Sequence, residues 1–137
     1  MPVKRVSPEE AQALMEKEGY VYVDVRSTPE FEAGHPLGAY NVPLMHMAPH
    51  GFVANPEFVA VMLKSFPKDQ KVVVGCKSGG RSLQAVAQLL TLGYDNVVDQ
   101  RAGFSGSTEP GWTAKGLPTS TEAVAERTYK VLGGKTK

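Results

Sequence analysis

Cys76 is the only cysteine in the 137-residue chain, and it opens the run Cys76-Lys77-Ser78-Gly79-Gly80-Arg81-Ser82. A thiol attacks as its thiolate, and the charges and dipoles around it decide how readily that form exists. Residues 71–81 hold Lys71, Lys77 and Arg81 but no acidic side chain. Gly79-Gly80 lets the backbone turn around a hollow that no side chain fills, and a side chain at Gly80 is expected to crowd it. The apolar Lys71-Val72-Val73-Val74-Gly75 precedes the run and a helix-like segment follows. The loop therefore sits between strand and helix, with its N–H groups converging as a nest and the helix amino end turned into the same space. A cysteine at the bottom of such a cradle is expected largely as thiolate. An isolated cysteine is most often a small buried hydrophobe, but Lys77 and Ser78 are not core flanks. A nucleotide-phosphate loop fits poorly, because Arg81 stands where that loop needs lysine and the upstream glycine spacing is missing.

Other polar residues point to support rather than chemistry. Asp24 ends an apolar strand, where a carboxylate caps nearby backbone N–H groups. His35 reads as a structural histidine and Trp112 as a packing or rim residue. His46 and His50 share a segment with Met45 and Met47, but nothing fixes their geometry and no cysteine joins them. No metal is expected.

The elements that must position Cys76 alternate between helix and strand. Ser7-Pro8-Glu9-Glu10 is a capping box opening a helix that Gly19 ends. Tyr20–Val25, Val72–Gly75 and Asn96–Asp99 read as short strands, and Ala39–Val42 as a weak one. Thr28-Pro29-Glu30 opens a helical turn over Phe31. Leu44–Phe52 is expected as a loop, Asn55-Pro56-Glu57 as the cap of a helix to Pro67, and Ser82–Leu92 as a helix buried on most sides. Thr119 and Glu122 form a possible last capping box, with Ala123, Val124, Thr128, Val131 and Leu132 on one stripe. Strands separated by helices argue for an α/β sandwich with a largely parallel sheet, which places ligands at the carboxyl ends of its strands.

Composition removes other classes. The chain length suits one domain burying about two-thirds of its surface. Fifteen basic and fourteen acidic residues nearly cancel, so no nucleic-acid or membrane field is implied. The imbalance is local: residues 1–60 are net acidic and 61–137 net basic, so anion chemistry belongs to the second part. The longest apolar run, Phe58–Leu63, falls far short of a membrane span. A lone cysteine forms no internal disulfide, and a reducing, cytoplasmic location is the default expectation.

Taken together, these motifs resemble the single-domain rhodaneses, the thiosulfate sulfurtransferases. Cys76-Lys77-Ser78-Gly79-Gly80-Arg81 matches the family's Cys-x-x-Gly-x-Arg loop. The early signature appears as Asp24-Val25-Arg26, Glu30-Phe31, Gly34-His35, Gly38-Ala39, Asn41 and Pro43, and the closing one as Gly103, Trp112 and Gly116-Leu117-Pro118. Two departures stand out. Ala102-Gly103 replaces a glycine pair, and residues 104–111 form a longer excursion before Trp112.

The resemblance implies a three-layer α/β/α rhodanese-like domain over residues 1–118. Residues 119–137 exceed the usual domain end, and their capping box and apolar stripe predict a helical C-terminal extension packed on the domain, with a frayed tail or a dimer contact as the alternatives. It implies that Cys76 takes a sulfane sulfur from thiosulfate or a persulfide donor, holds it as a persulfide, and passes it to cyanide, a thiol or a protein. Lys77, Ser78, Gly79, Gly80, Arg81 and Ser82 would bind the donor: backbone N–H groups stabilise the terminal sulfur, and Lys77 and Arg81 attract the anion. Asp24, Arg26 and Glu30 would be structural support, Arg26 and Glu30 as an ion pair. No cofactor, metal, nucleic acid or membrane is called for. The alternatives are a sulfur-relay or protein-binding module with little thiosulfate turnover and, more remotely, a cysteine-dependent phosphatase or arsenate reductase. Those enzymes carry five residues between cysteine and arginine, whereas this loop has four.

Overall fold

Successive side chains of a strand point to opposite faces, and the central strands of this chain are apolar on both. The computed structural model describes residues 3–106, 109–122 and 124–134; Ala123 lies outside the described residues. In chain order the elements begin β1 (Arg5–Val6), α1 (Pro8–Lys17), β2 (Val21–Asp24), α2 (Thr28–Ala33), β3 (His35–Pro36) and β4 (Tyr40–Asn41). The middle holds β5 (Met45–Ala48), β6 (Gly51–Ala54), α3 (Phe58–Ser65) and β7 (Val72–Gly75). Then come α4 (Gly80–Thr91), β8 (Val97–Gln100), β9 (Thr119–Ser120), a 3₁₀ turn at Ala125–Arg127 and α5 (Tyr129–Gly134).

The central sheet has the order β1-β8-β7-β2-β4, and its four pairings are all parallel. Tyr22, Val73 and Val98 pack on one face with Ala11 of α1, Phe31 of α2 and Trp112. Val23, Val72, Val74 and Val97 pack on the other with residues of α3, α4 and α5. The handedness of parallel crossovers explains the division. Connections that step toward β4 (through α1 and α2) use the first face, and those that step back toward β1 (through α3 and α4) use the second. The result is a three-layer α/β/α domain.

Helix starts follow the capping chemistry in α1, where Ser7 Oγ accepts from Glu10 N–H at 3.1 Å and Glu10 Oε1 accepts from Ser7 N–H at 2.8 Å. Three expectations change. The Leu44–Phe52 loop is mostly an antiparallel hairpin, β5 against β6, turning at Pro49-His50. Its strands are half-buried or exposed, so they show no apolar–polar alternation to read. The helix after Asn55 begins two residues late, at Phe58, because Asn55 Oδ1 accepts from Glu57 N–H at 3.0 Å and closes a turn first. After Pro118 the chain runs as a strand rather than a capped helix: Thr119–Ser120 pairs with His35–Pro36. Helix structure appears only from Ala125, and α5 lies against α3 with Leu132 in the core. Among the described residues no helix is long and apolar enough to cross a membrane.

Candidate active site

The site forms where β2, β7 and β8 end. Val25 N–H donates to the Gly75 carbonyl at 2.9 Å, so Cys76 leaves the sheet beside the end of β2. Cys76 is 2% exposed. Its Sγ accepts from Gly79 N–H at 3.0 Å and lies 3.5 Å from Ser82 Oγ. The loop is held by the segment after β8: Phe104 and Ser105 N–H groups donate to the carbonyls of Cys76 and Lys77 at 2.8 and 3.0 Å. In a planar trans peptide the C=O and the following N–H point opposite ways. Those bonds therefore turn the N–H groups of Lys77 and Ser78 away from residues 104 and 105, which is how a nest is built. A cavity of about 360 Å³ borders Ser78, Gly79 and Gly80, with Arg5, Arg101 and Glu109 on its walls.

Two glycines make this close approach possible. A Cβ at Gly103 would overlap the Lys77 carbonyl, and its φ is +77°. Gly79 caps α4 with a φ of +105°, and a Cβ there would overlap the Arg101 carbonyl oxygen. At Gly80, the first residue of α4, a Cβ meets nothing within 4 Å. The crowding expected at Gly80 thus belongs to Gly79, which carries the left-handed turn and backs onto residue 101.

The arginines pair differently from the sequence expectation. Arg26 does not bond Glu30. It donates to both carboxylate oxygens of Asp24, with Nη2–Oδ2 at 2.7 Å, and to the Gly34 carbonyl. Asp24 also accepts from Arg26 N–H at 3.0 Å, so one carboxylate fixes both backbone and side chain. Glu30 instead takes Arg81 in a bidentate pair at 2.7 and 3.0 Å and accepts from the Ser27 N–H and hydroxyl. Glu30 therefore joins the start of α2 to the start of α4. Burial pushes the Glu30 carboxyl up, but the hydrogen bonds from Arg81 and Ser27 outweigh it and bring it to about 2. Burial opposes the Arg81 charge too, yet the pairing with Glu30 holds its pKa above the usual value. Both guanidiniums lie on aromatic rings, Arg26 over Phe104 at 4.3 Å and Arg81 over Phe52 at 4.4 Å. They are fixed wall groups. Lys77 is exposed and, among the described residues, makes no ion pair.

Sequence reading missed the supporting roles of Asp99, Gln100 and Asn41, whereas Trp112 and His35 have the packing and structural roles expected of them. Asp99, at the end of β8, is fully buried; it accepts from Arg5 Nε at 2.6 Å and shares a short hydrogen bond with the Ser82 hydroxyl. Burial raises its carboxyl, and the Ser82 and Arg5 hydrogen bonds only partly offset this. Gln100 accepts from the N–H groups of Ala102 and Gly103 at 3.0 and 2.9 Å, shaping the segment that backs the loop. Asn41 donates to the carbonyls of Asp24 and Arg26. Trp112 is a packing residue, edge-on to Tyr22, with Nε1 donating to the Pro118 carbonyl. His35 stacks on Phe31, and its Nδ1 is 2.8 Å from the Phe31 carbonyl.

The model of the rhodanese-like domain matches residues 7–109, which is most of the chain and includes the whole Cys76 loop. The chain belongs to the rhodanese family. Thiosulfate sulfurtransferase 16, chloroplastic, of Arabidopsis thaliana is 41% identical to it over 101 residues, 74% of this chain and 80% of that protein. Senescence-associated protein DIN1 of Raphanus sativus is 41% identical over 114 residues, 83% of this chain but 57% of that relative's length. Among solved structures, Rv0390 from M. tuberculosis has a TM-score of 0.76 at 25% identity, with 89% of this chain and 100% of that one covered. In this rhodanese domain the matched region also contains Asp24, Glu30 and Asp99.

Proposed function

We propose that the protein is a sulfurtransferase that carries a sulfane sulfur on Cys76. The observation behind this reading is the loop itself: a single sulfur between the ends of parallel strands, bonded by Gly79 N–H, in a turn whose carbonyls are tied outward. The Cys76 thiolate attacks the outer sulfur of thiosulfate. The sulfur–sulfur bond of the donor breaks, sulfite leaves with the electron pair, and Cys76 holds a persulfide. Inward N–H groups of residues 77–82 stabilise the terminal sulfur anion, as an oxyanion hole stabilises oxygen. Lys77 attracts the dianionic donor, while Arg81, shared with Glu30, contributes mainly by holding α4 in place. Cyanide or a thiol then attacks the terminal sulfur and regenerates the thiolate, a double displacement without a cofactor. Steady-state turnover of thiosulfate with cyanide tests this, with thiocyanate as the readout. Wild type should turn over by a ping-pong pattern and Cys76→Ser should be inactive; turnover surviving in Cys76→Ser would refute it.

The rim supports a second reading, transfer to or from a protein. Phe52, which lies on Arg81, is 46% exposed, and its cross-strand partner Met47 is 51% exposed. An exposed apolar edge against Arg81, at the end of the Cys76 loop, suits docking of a polypeptide. A persulfide-bearing protein that loads Cys76 much faster than thiosulfate does would favour this reading.

A further inference from the structure

Asp99 is a buried carboxylate that the sulfur-transfer steps do not use. Arg5 on β1 holds it at 2.6 Å, and its other oxygen meets the Ser82 hydroxyl. Ser82 Oγ also lies 3.2 Å from the Gly79 carbonyl and 3.5 Å from Cys76 Sγ. A hydroxyl has one proton and two lone pairs. Among a carboxylate, a carbonyl and a sulfur, that proton goes to the carboxylate, because a charged acceptor makes the stronger hydrogen bond. The Oγ lone pairs then face Sγ, where they accept from a thiol S–H and repel a thiolate. The donor that faces a thiolate is Gly79 N–H.

We propose that Asp99, acting through the Ser82 hydroxyl, sets which form of Cys76 the loop holds. Ionised Asp99 keeps the Ser82 proton and favours the thiol; when the proton is released toward Sγ, the thiolate is favoured. Ser82 and Asp99 are then positioning residues for the nucleophile. Of the other charged or titratable groups, Arg5 from β1 bonds Asp99, Tyr22 from β2 and Arg81 from α4 interact with Cys76, Asp24 and Arg26 lie near Tyr22, Glu30 from α2 pairs with Arg81, and Lys77 follows Cys76 in the loop. None of these bonds the Ser82 hydroxyl, so the orientation of its proton is left to Asp99 and Gly79.

The inference rests on Cys76 as the reacting sulfur, yet it is testable with no sulfur donor present. The measurement is the pH dependence of Cys76 alkylation by iodoacetamide, read by intact mass. Thiolate ultraviolet absorbance against Cys76→Ser gives an independent check. In Asp99→Asn the side-chain amide donates to Ser82 Oγ and frees the hydroxyl proton for Sγ. The half-maximal pH should fall by about 1 unit, making alkylation roughly tenfold faster below the midpoint. In a Ser82→Ala background the same replacement should change the profile little. An equal shift in both backgrounds would mean that the Asp99 charge acts through space, and no shift, or an upward one, would remove Asp99 from the account. Ser82→Ala alone is a separate test that does not need the Asn variant to fold: its midpoint should stay or fall. A rise of about 1 unit would show that Ser82 donates to the thiolate in the wild type and would overturn the proposal. Alkylation results of the expected kind stand even if thiosulfate turnover fails, so the two readings can be refuted separately.

Discussion

Alanine at Gly79 and alanine at Gly80 should act in opposite directions although the two positions are adjacent. Gly79 has φ +105° and ψ −13°, a backbone conformation that an L side chain reaches only under strain. That strain costs about 1–3 kcal/mol. The added Cβ also overlaps the Arg101 carbonyl oxygen, which belongs to the backbone. Residue 101 cannot drift away freely, because its N–H donates to the Val6 carbonyl at 3.0 Å. Forcing such a shift adds about 1–3 kcal/mol, so Gly79→Ala should lose roughly 2–6 kcal/mol, a large part of the stability of a domain this size. Gly80 is the first residue of α4 and its Cβ direction is open. Gly80→Ala should be neutral or gain up to about 1 kcal/mol by restricting the unfolded chain. Urea unfolding followed by the fluorescence of Trp112, the single tryptophan and a fully buried one, reads both variants. Sulfur transfer under conditions where each variant is folded should fall sharply for Gly79→Ala and persist for Gly80→Ala. Equal urea midpoints, or a greater loss at Gly80, would refute the reasoning about which glycine carries the turn.

Glu30→Gln should destabilise the domain, because the lowering of the Glu30 carboxyl from 4.5 to about 2 corresponds to roughly 3 kcal/mol at most. A depressed carboxyl stabilises above its unfolded value and loses that contribution as pH falls toward its folded value. The gap between Glu30→Gln and wild type in urea unfolding should therefore be constant above about pH 4.5 and close toward pH 2; a gap independent of pH would contradict the ion pair with Arg81. Lys77→Ala should raise the apparent KM for thiosulfate more than it lowers kcat, since an exposed lysine attracts the anion without touching the bond that breaks. An unchanged KM would remove Lys77 from donor binding.

Much of the fold was legible because its signals are local. Val72-Val73-Val74 and Tyr22-Val23 carry apolar side chains toward both faces, and Ser7-Pro8-Glu9-Glu10 starts a helix on its own chemistry. The β5–β6 hairpin was not legible, since its residues are too exposed to alternate. Nor was β9: two residues, Thr119 and Ser120, join a sheet only by meeting His35 and Pro36 far away in sequence. The reactive loop stood out because its glycines, cations and cysteine are consecutive. Its partners did not. Arg26 and Glu30 are spaced like a helical pair, but Asp24 sits two residues from Arg26 at the end of β2, and α2 turns Glu30 toward Arg81 instead. Asp99 looked like an ordinary strand terminus; its contact with Ser82 exists only once β8 and α4 are packed side by side.

The most direct test of the central claim is the mass of the intact protein after brief exposure to thiosulfate. With a single cysteine, any sulfur adduct on a thiol must be on Cys76. Wild type should gain the mass of one sulfur atom, lose it on addition of cyanide, and release an equal amount of thiocyanate, while Cys76→Ser should gain nothing. No adduct on wild type from thiosulfate or from any persulfide donor, together with Cys76-dependent hydrolysis of an aryl phosphate, would contradict the account.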